Sequence, residues 1–124
     1  MSAQNVRLEV MQLLEKKVES YVDQYLIPVE KIWQPSDFLP NPEGDNFFEE
    51  IKELRAIAND MPYDLWVVLV GDTITEEALP TYESWLMEVE GVDNEGRNGW
   101  SKWVRNWTGE ENRHGDLLNK YLYL

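Results

Sequence analysis

The segment from Trp100 to Leu124 constrains the fold most, because it predicts one long amphipathic helix with two ionisable residues in its apolar stripe. The stripe advances in steps of four and three residues through Trp100, Val104, Trp107, Glu111, His114, Leu118 and Tyr121. A carboxylate and an imidazole are unfavourable in a core unless they are paired or bind a metal ion. The spacing of Glu111 and His114 aims both side chains at one point beside the helix. It predicts either a structural Glu–His hydrogen bond or a metal site of the kind that di-iron carboxylate proteins build from Glu-x-x-His.

The remainder of the chain also has the pattern of an all-α protein. Helical spacing of apolar residues predicts helices over Val6–Leu26, Asp45–Asn59, Pro62–Glu90 and Trp100–Leu124. We expect Asp45 to cap the second helix and Gly91 to end the third, and the polar segment Gly91–Gly99 to form a loop. The proline-rich segment Pro28–Gly44 favours an extended connection. Three apolar residues are expected to attach it to the core, namely Trp33, Phe38 and Leu39.

The third predicted helix offers a further acidic candidate in Glu76 or its neighbour Glu77. Periodicity favours Glu76 only slightly. A proline at position 80 removes the hydrogen bond to the carbonyl of Glu76 and crowds that carbonyl. A kink there would suit a metal-facing Glu76, although Pro80 could also simply bend a long helix around the core.

Charge and composition exclude several classes of function. The net charge of −13 argues against binding to nucleic acid or to an anionic membrane surface. Because the chain has no cysteine, a metal site must use oxygen and nitrogen ligands. No apolar stretch reaches the roughly 18 residues of a membrane span, so we expect a soluble protein, and Met1–Val10 has no features of a signal or transit peptide.

Three stretches resemble the plastid-type stearoyl-acyl carrier protein desaturases nearly residue for residue. They are Pro28–Pro40, Val67–Tyr82 (VVLVGDTITEEALPTY) and Thr108–Leu124 (TGEENRHGDLLNKYLYL). The resemblance runs in order from Val6 to Leu124 and corresponds to the first half, or somewhat less, of a family member. It implies that residues 1–124 are the N-terminal part of a single ferritin-like, di-iron helical bundle.

The resemblance also implies an activity and a set of site residues. Family members introduce a cis double bond, typically at Δ9, into an acyl chain carried by acyl carrier protein, using two iron ions, dioxygen and reduced ferredoxin. They are homodimers of the plastid stroma. By position, Glu76 matches a terminal carboxylate ligand, Glu111 a bridging carboxylate and His114 an imidazole ligand. Less direct roles fall to Trp33, on a candidate electron path, and to Asp72, Thr75 and Trp107, near the ligands or lining the site.

Departures from the family pattern leave the substrate open. Trp85 stands where plant members carry a methionine, and Glu88 replaces a small polar residue; with Val89 they are expected to line the acyl slot. Chain length and double-bond position therefore stay undetermined.

The ligand set is also expected to be incomplete, because His114 is the only histidine and the helical pattern runs to Leu124 without a cap. Three interpretations remain open: a fragment, an incomplete gene prediction, or a degenerate copy. The alternative function is a catalytically inactive helical module that binds a partner, such as a full-length desaturase subunit.

Overall fold

The computed structural model describes residues 3–124. They form helices joined by loops, and this part of the chain contains no β-strand. The helices are α1 (Ala3–Tyr25), α2 (Phe47–Asn59), α3 (Tyr63–Ala78), α4 (Glu83–Met87) and α5 (Gly99–Tyr123). Short 3₁₀ segments occupy Val29–Lys31, Pro35–Asp37 and Leu79–Tyr82. The predicted all-α class is therefore confirmed.

These residues form two compact units, and α5 contributes to both. The first unit contains the described residues up to Ile32 together with Leu79–Glu110. The second contains Trp33–Ala78 together with Glu111–Leu124.

In the first unit, α1 packs closely against the beginning of α5. The indole Nε1 of Trp100 donates to the carbonyl of Met11 at 3.0 Å, and the backbone N–H of Gly99 donates to Glu15 Oε1 at 2.9 Å. A Cβ atom at position 99 would lie 2.5 Å from the backbone nitrogen of Glu19. Only glycine permits this approach of the two backbones.

The predicted loop before α5 is present and is organised by Asn98. Its Oδ1 accepts from the backbone N–H of Ser101 at 3.0 Å, in the manner of a helix N-cap, and its Nδ2 donates to the carbonyl of Gly91 at 2.8 Å. Gly91 has a φ of 94°, which residues other than glycine rarely adopt. The loop therefore sets the start of α5.

In the second unit, α5 is attached to α2 and to the proline-rich connection. Arg55 Nε donates to the carbonyl of Leu124 at 2.5 Å, and the hydroxyl of Tyr121 donates to the carbonyl of Phe38 at 2.6 Å. The side chain of Phe38 is 55% exposed, so the backbone of that residue makes the attachment more than its ring does. Pro35 is the buried residue of the connection.

Two predicted helix boundaries were wrong. The region 62–90 is not one helix, because α3 ends at Ala78 and a 3₁₀ segment precedes the short α4. Pro80 explains the change, since it cannot donate to the carbonyl of Glu76 and its ring crowds that oxygen. The N-cap of α2 is Asn46 and not Asp45, and no side-chain hydrogen bond caps it.

Several large apolar side chains on α3 remain open to solvent. Their exposed fractions range from 42% to 64%, and they are Leu65, Val67, Val68, Val70 and Ile74. Within residues 3–124, the buried aliphatic side chains are Val22, Ile51 and Val104. The exposed side of α3 is thus suited to contact with further protein. None of the helices in the described part of the chain is long and apolar enough to cross a membrane.

Candidate metal centre

The candidate centre lies in the second unit, where α3 supplies Glu76 and α5 supplies Glu111 and His114. One ligand atom from each of the three side chains can be chosen so that all lie within 4.8 Å of one another. The two residues on α5 are three positions apart and share a face of the helix. Glu77 is exposed and accepts a hydrogen bond from Asn119, so it stands outside the cluster. The structure therefore brings together the three residues expected to bind metal.

The imidazole of His114 faces both carboxylates through one ring nitrogen. Its Nδ1 lies 3.1 Å from Glu111 Oε2 and 3.5 Å from Glu76 Oε2. The side chains of Glu111 and Glu76 are 16% and 26% exposed, whereas that of His114 is 41% exposed. The carboxylates are thus the more sheltered ligands, and the imidazole lies toward solvent.

Glu76 is held in surroundings that disfavour its negative charge. Burial is the main cause of its raised pKa, followed by a hydrogen bond with Glu111 and repulsion from that carboxylate; His114 acts in the opposite direction. Its Oε2 is buried and has no hydrogen-bond partner among residues 3–124. Two close carboxylates with an uncompensated oxygen provide the electrostatic arrangement that a bound cation would relieve.

The donor set fits a first-row divalent cation. Carboxylate oxygen and imidazole nitrogen suit iron, manganese or zinc, and the chain has no cysteine to supply a thiolate. Glu76, Glu111 and His114 are the residues that would hold it.

Trp33 lies directly against the imidazole of His114. The two rings are stacked, with centroids 5.6 Å apart and planes at 16°. The guanidinium of Arg113 lies 5.6 Å from the centroid of the Trp33 ring, and Phe38 contacts Trp33 edge to face. The proline-rich connection thereby restricts the orientation of His114.

Asp72 and Thr75, which also lie in the second unit, are exposed on α3. The hydroxyl of Thr75 donates to the carbonyl of Gly71 at 3.1 Å, within its own helix. The buried threonine of α3 is Thr73, whose hydroxyl donates to the carbonyl of Leu69 at 2.8 Å. Thr73 is therefore the threonine that α3 directs inward.

The other candidates from the sequence belong to the first unit. Trp107 is half-buried and stacks on Trp103 with centroids 6.1 Å apart. Trp85 is 71% exposed and stacks on Tyr82. Glu88 and Val89 are exposed and line a groove of about 560 Å³ together with α1. The expected places of Trp85, Glu88 and Val89 in the acyl slot, and of Trp107 near the ligands, stay predictions.

Sequence reasoning missed Gly115, because a search for apolar periodicity gives weight to large side chains. The buried residues of α5 are Gly99, Ser101, Val104 and Gly115, whereas Tyr121 of the predicted stripe is 36% exposed. A Cβ atom at position 115 would lie 3.2 Å from the backbone of Glu76. A glycine one residue after a candidate ligand histidine was the available signal.

Replacing Glu76 with Gln should stabilise the metal-free chain at pH 7, by up to about 1 kcal/mol, because it removes a carboxylate that the fold disfavours. The pKa of Glu76 is raised in the folded chain above the ordinary value of 4.5, so its ionisation destabilises the fold only at pH above that value. The gain should therefore disappear by about pH 4, where both states are protonated. Chemical unfolding at the two pH values measures it.

The matched control for this variant is Glu77→Gln, because Glu77 is exposed on the same helix. It should change the free energy of unfolding little at either pH. Equal stabilisation by the two variants would show that the effect is one of overall charge and not of the cluster.

Comparison with known proteins shows the family of the chain. A sequence model of a family described as fatty acid desaturase matches residues 6–124. The chain is 54% identical over 121 residues to "Stearoyl-[acyl-carrier-protein] 9-desaturase 5, chloroplastic" of Arabidopsis thaliana. The aligned region covers 95% of this chain and 31% of that protein. The chain is also 53% identical over 121 residues to "Stearoyl-[acyl-carrier-protein] 9-desaturase, chloroplastic" of Ricinus communis, and the match again covers 95% of this chain and 31% of that protein.

A third relative, "Stearoyl-[acyl-carrier-protein] 9-desaturase, chloroplastic" of Linum usitatissimum, is 62% identical over 103 residues, covering 81% of this chain and 26% of its own length. The chain thus spans about a third, or somewhat less, of the length of these curated relatives. The match over nearly the whole chain shows that it belongs to the fatty acid desaturase family.

Proposed function

We propose that this chain is the N-terminal part of an acyl-acyl carrier protein desaturase, which introduces a cis double bond into a saturated acyl chain using dioxygen and reduced ferredoxin. The observation that carries the proposal is the cluster of Glu76, Glu111 and His114 in a chain of this family. The Δ9 position is taken from the names of the relatives, which are 9-desaturases.

We further propose that the bound metal is a pair of iron ions and that this chain supplies half of their ligands. When bound, the iron pair supplies the electrons that reduce dioxygen and the oxidising power that removes hydrogen from an unactivated methylene. Two carboxylates and one imidazole are too few to surround two ions, so further ligands must come from outside this chain.

The residues of this chain would hold and orient the ligands. The Glu111 carboxylate is the least exposed of the three side chains and would be the metal ligand most shielded from water. The raised pKa of Glu76 means that metal and proton compete for its carboxylate. Trp33 stacks on His114 and restricts rotation of the ring, and this contact also supports its proposed place on an electron path.

The exposed apolar side of α3 supports the remaining part of the proposal. In a protein of the relatives' length, we infer that the additional chain covers Leu65, Val68 and their neighbours and completes the centre. Assembly as a homodimer and residence in the chloroplast stroma are parts of the same proposal, and the relatives' names describe them as chloroplastic.

The ligand assignment is tested in a full-length protein made by joining this chain to the remaining part of the Ricinus communis relative. Glu111→Gln and His114→Ala should each abolish the visible absorbance of the iron pair and lower turnover by at least about 100-fold, because each removes a ligand. Iron content and the absorbance spectrum are the measurements.

The controls are Glu77→Gln and Glu110→Gln, which change carboxylates outside the cluster. Both variants should retain iron and its absorbance, since the glutamine that replaces Glu77 keeps a side-chain oxygen able to accept the hydrogen bond from Asn119. An equal loss of iron in either control would mean that the wrong carboxylates have been assigned.

The isolated chain should not desaturate stearoyl-acyl carrier protein in the presence of ferredoxin, since three ligands cannot hold two irons. Gas chromatography of the acyl products, compared with a metal-free sample, measures conversion. Product above that background would contradict the proposed half-site, while its absence together with tight binding to a full-length desaturase would favour an interaction module.

Docking of the acidic acyl carrier protein should be weak on this chain, because its net charge is −13. We expect the main docking surface of a full-length protein to lie outside these residues. Titration of the chain with acyl carrier protein at low and high salt tests this. Micromolar affinity that weakens with salt would place the docking surface here.

A further inference from the structure

We propose that Gly115 is a positioning residue that sets the separation of α3 and α5 at the metal ligands. The inference rests on the proposed metal centre and adds a residue that does not itself contact metal. It starts from the closeness of the two helices: a Cβ atom at position 115 would lie 3.2 Å from the carbonyl carbon and oxygen of Glu76 and 3.2 Å from the backbone nitrogen of Glu77.

The atoms that face Gly115 are backbone and cannot turn away as a flexible side chain can. An added methyl group would have to move one helix relative to the other by a few tenths of an ångström. Gly115 faces the backbone of Glu76, which is one of the proposed ligands. It also directly follows His114, another proposed ligand, in the sequence. Such a displacement would therefore change the distance between the carboxylate of Glu76 and the two ligands on α5.

A second contact supports the same separation about one turn farther along α5. Asn119 Nδ2 donates a hydrogen bond to Glu77 Oε1. The missing side chain of Gly115 lets the backbones of α3 and α5 come close, and the hydrogen bond from Asn119 holds them together. Because metal–ligand distances tolerate changes of only about 0.2 Å, the site depends on both contacts.

The test is binding of Co²⁺, whose visible absorption bands report coordination geometry, to the 124-residue chain. Gly115→Ala should raise the dissociation constant by about tenfold and change the band positions, as loss of supporting contacts commonly does at metal sites. Gly71→Ala is the matched control, because Gly71 lies on α3 and a Cβ there would meet nothing within 4 Å. It should leave both the affinity and the bands unchanged.

Circular dichroism separates this role from a general effect on folding. Both substitutions favour helix formation in the chain, so a folded Gly115→Ala chain with altered cobalt bands supports the inference. A folded Gly115→Ala chain with the affinity and bands of the unchanged protein would overturn it.

Asn119→Ala tests the same separation without adding atoms to the contact. It should weaken Co²⁺ binding by about threefold, and it decides the matter if Gly115→Ala fails to fold: unchanged binding then overturns the inference. Glu111→Gln distinguishes the two proposals. If Co²⁺ binding to the unchanged chain does not depend on Glu111, the metal centre itself is refuted and the positioning role with it.

Discussion

Close approach of helix backbones to α5 is the constraint on which both units depend. Gly99 admits the backbone of α1 in the first unit, and Gly115 admits that of α3 in the second. Neither position tolerates a larger side chain without movement of a neighbouring helix. Ser101, near the start of α5, is fully buried as well. Small side chains at these places let polar residues of different helices come within reach of each other.

That closeness gives the second unit its chemistry and has an electrostatic cost. Burial of Glu76, together with its closeness to Glu111, raises the pKa of Glu76, and the imidazole of His114 acts in the opposite direction. A chain selected only for stability would separate these carboxylates or replace one of them. The retention of an unfavourable pair at a sheltered position is typical of sites that bind metal.

The ends of the helices and the connections between them depend partly on local sequence and partly on tertiary contacts. Pro80 ends α3 by a purely local effect, because it lacks an N–H wherever it stands. The proline-rich connection likewise forms no long helix for local reasons, although it is not the extended segment that the sequence predicted, since it contains two short 3₁₀ segments. Its attachment is not local, since the hydroxyl of Tyr121 bonds to the carbonyl of Phe38. Every residue has such a carbonyl, so no pattern of side chains could identify the one that is used.

The sequence by itself determined the all-α class, the loop before α5 and the shared helix face of Glu111 and His114, because each depends on residues that are near one another in the chain. Tertiary structure decided which neighbouring carboxylate joins that pair. Glu76 and Glu77 are almost equivalent in periodicity, and only the packing of α3 on α5 distinguishes them. The importance of Gly115 also emerges only there, because the advantage of a missing side chain depends on what lies opposite it.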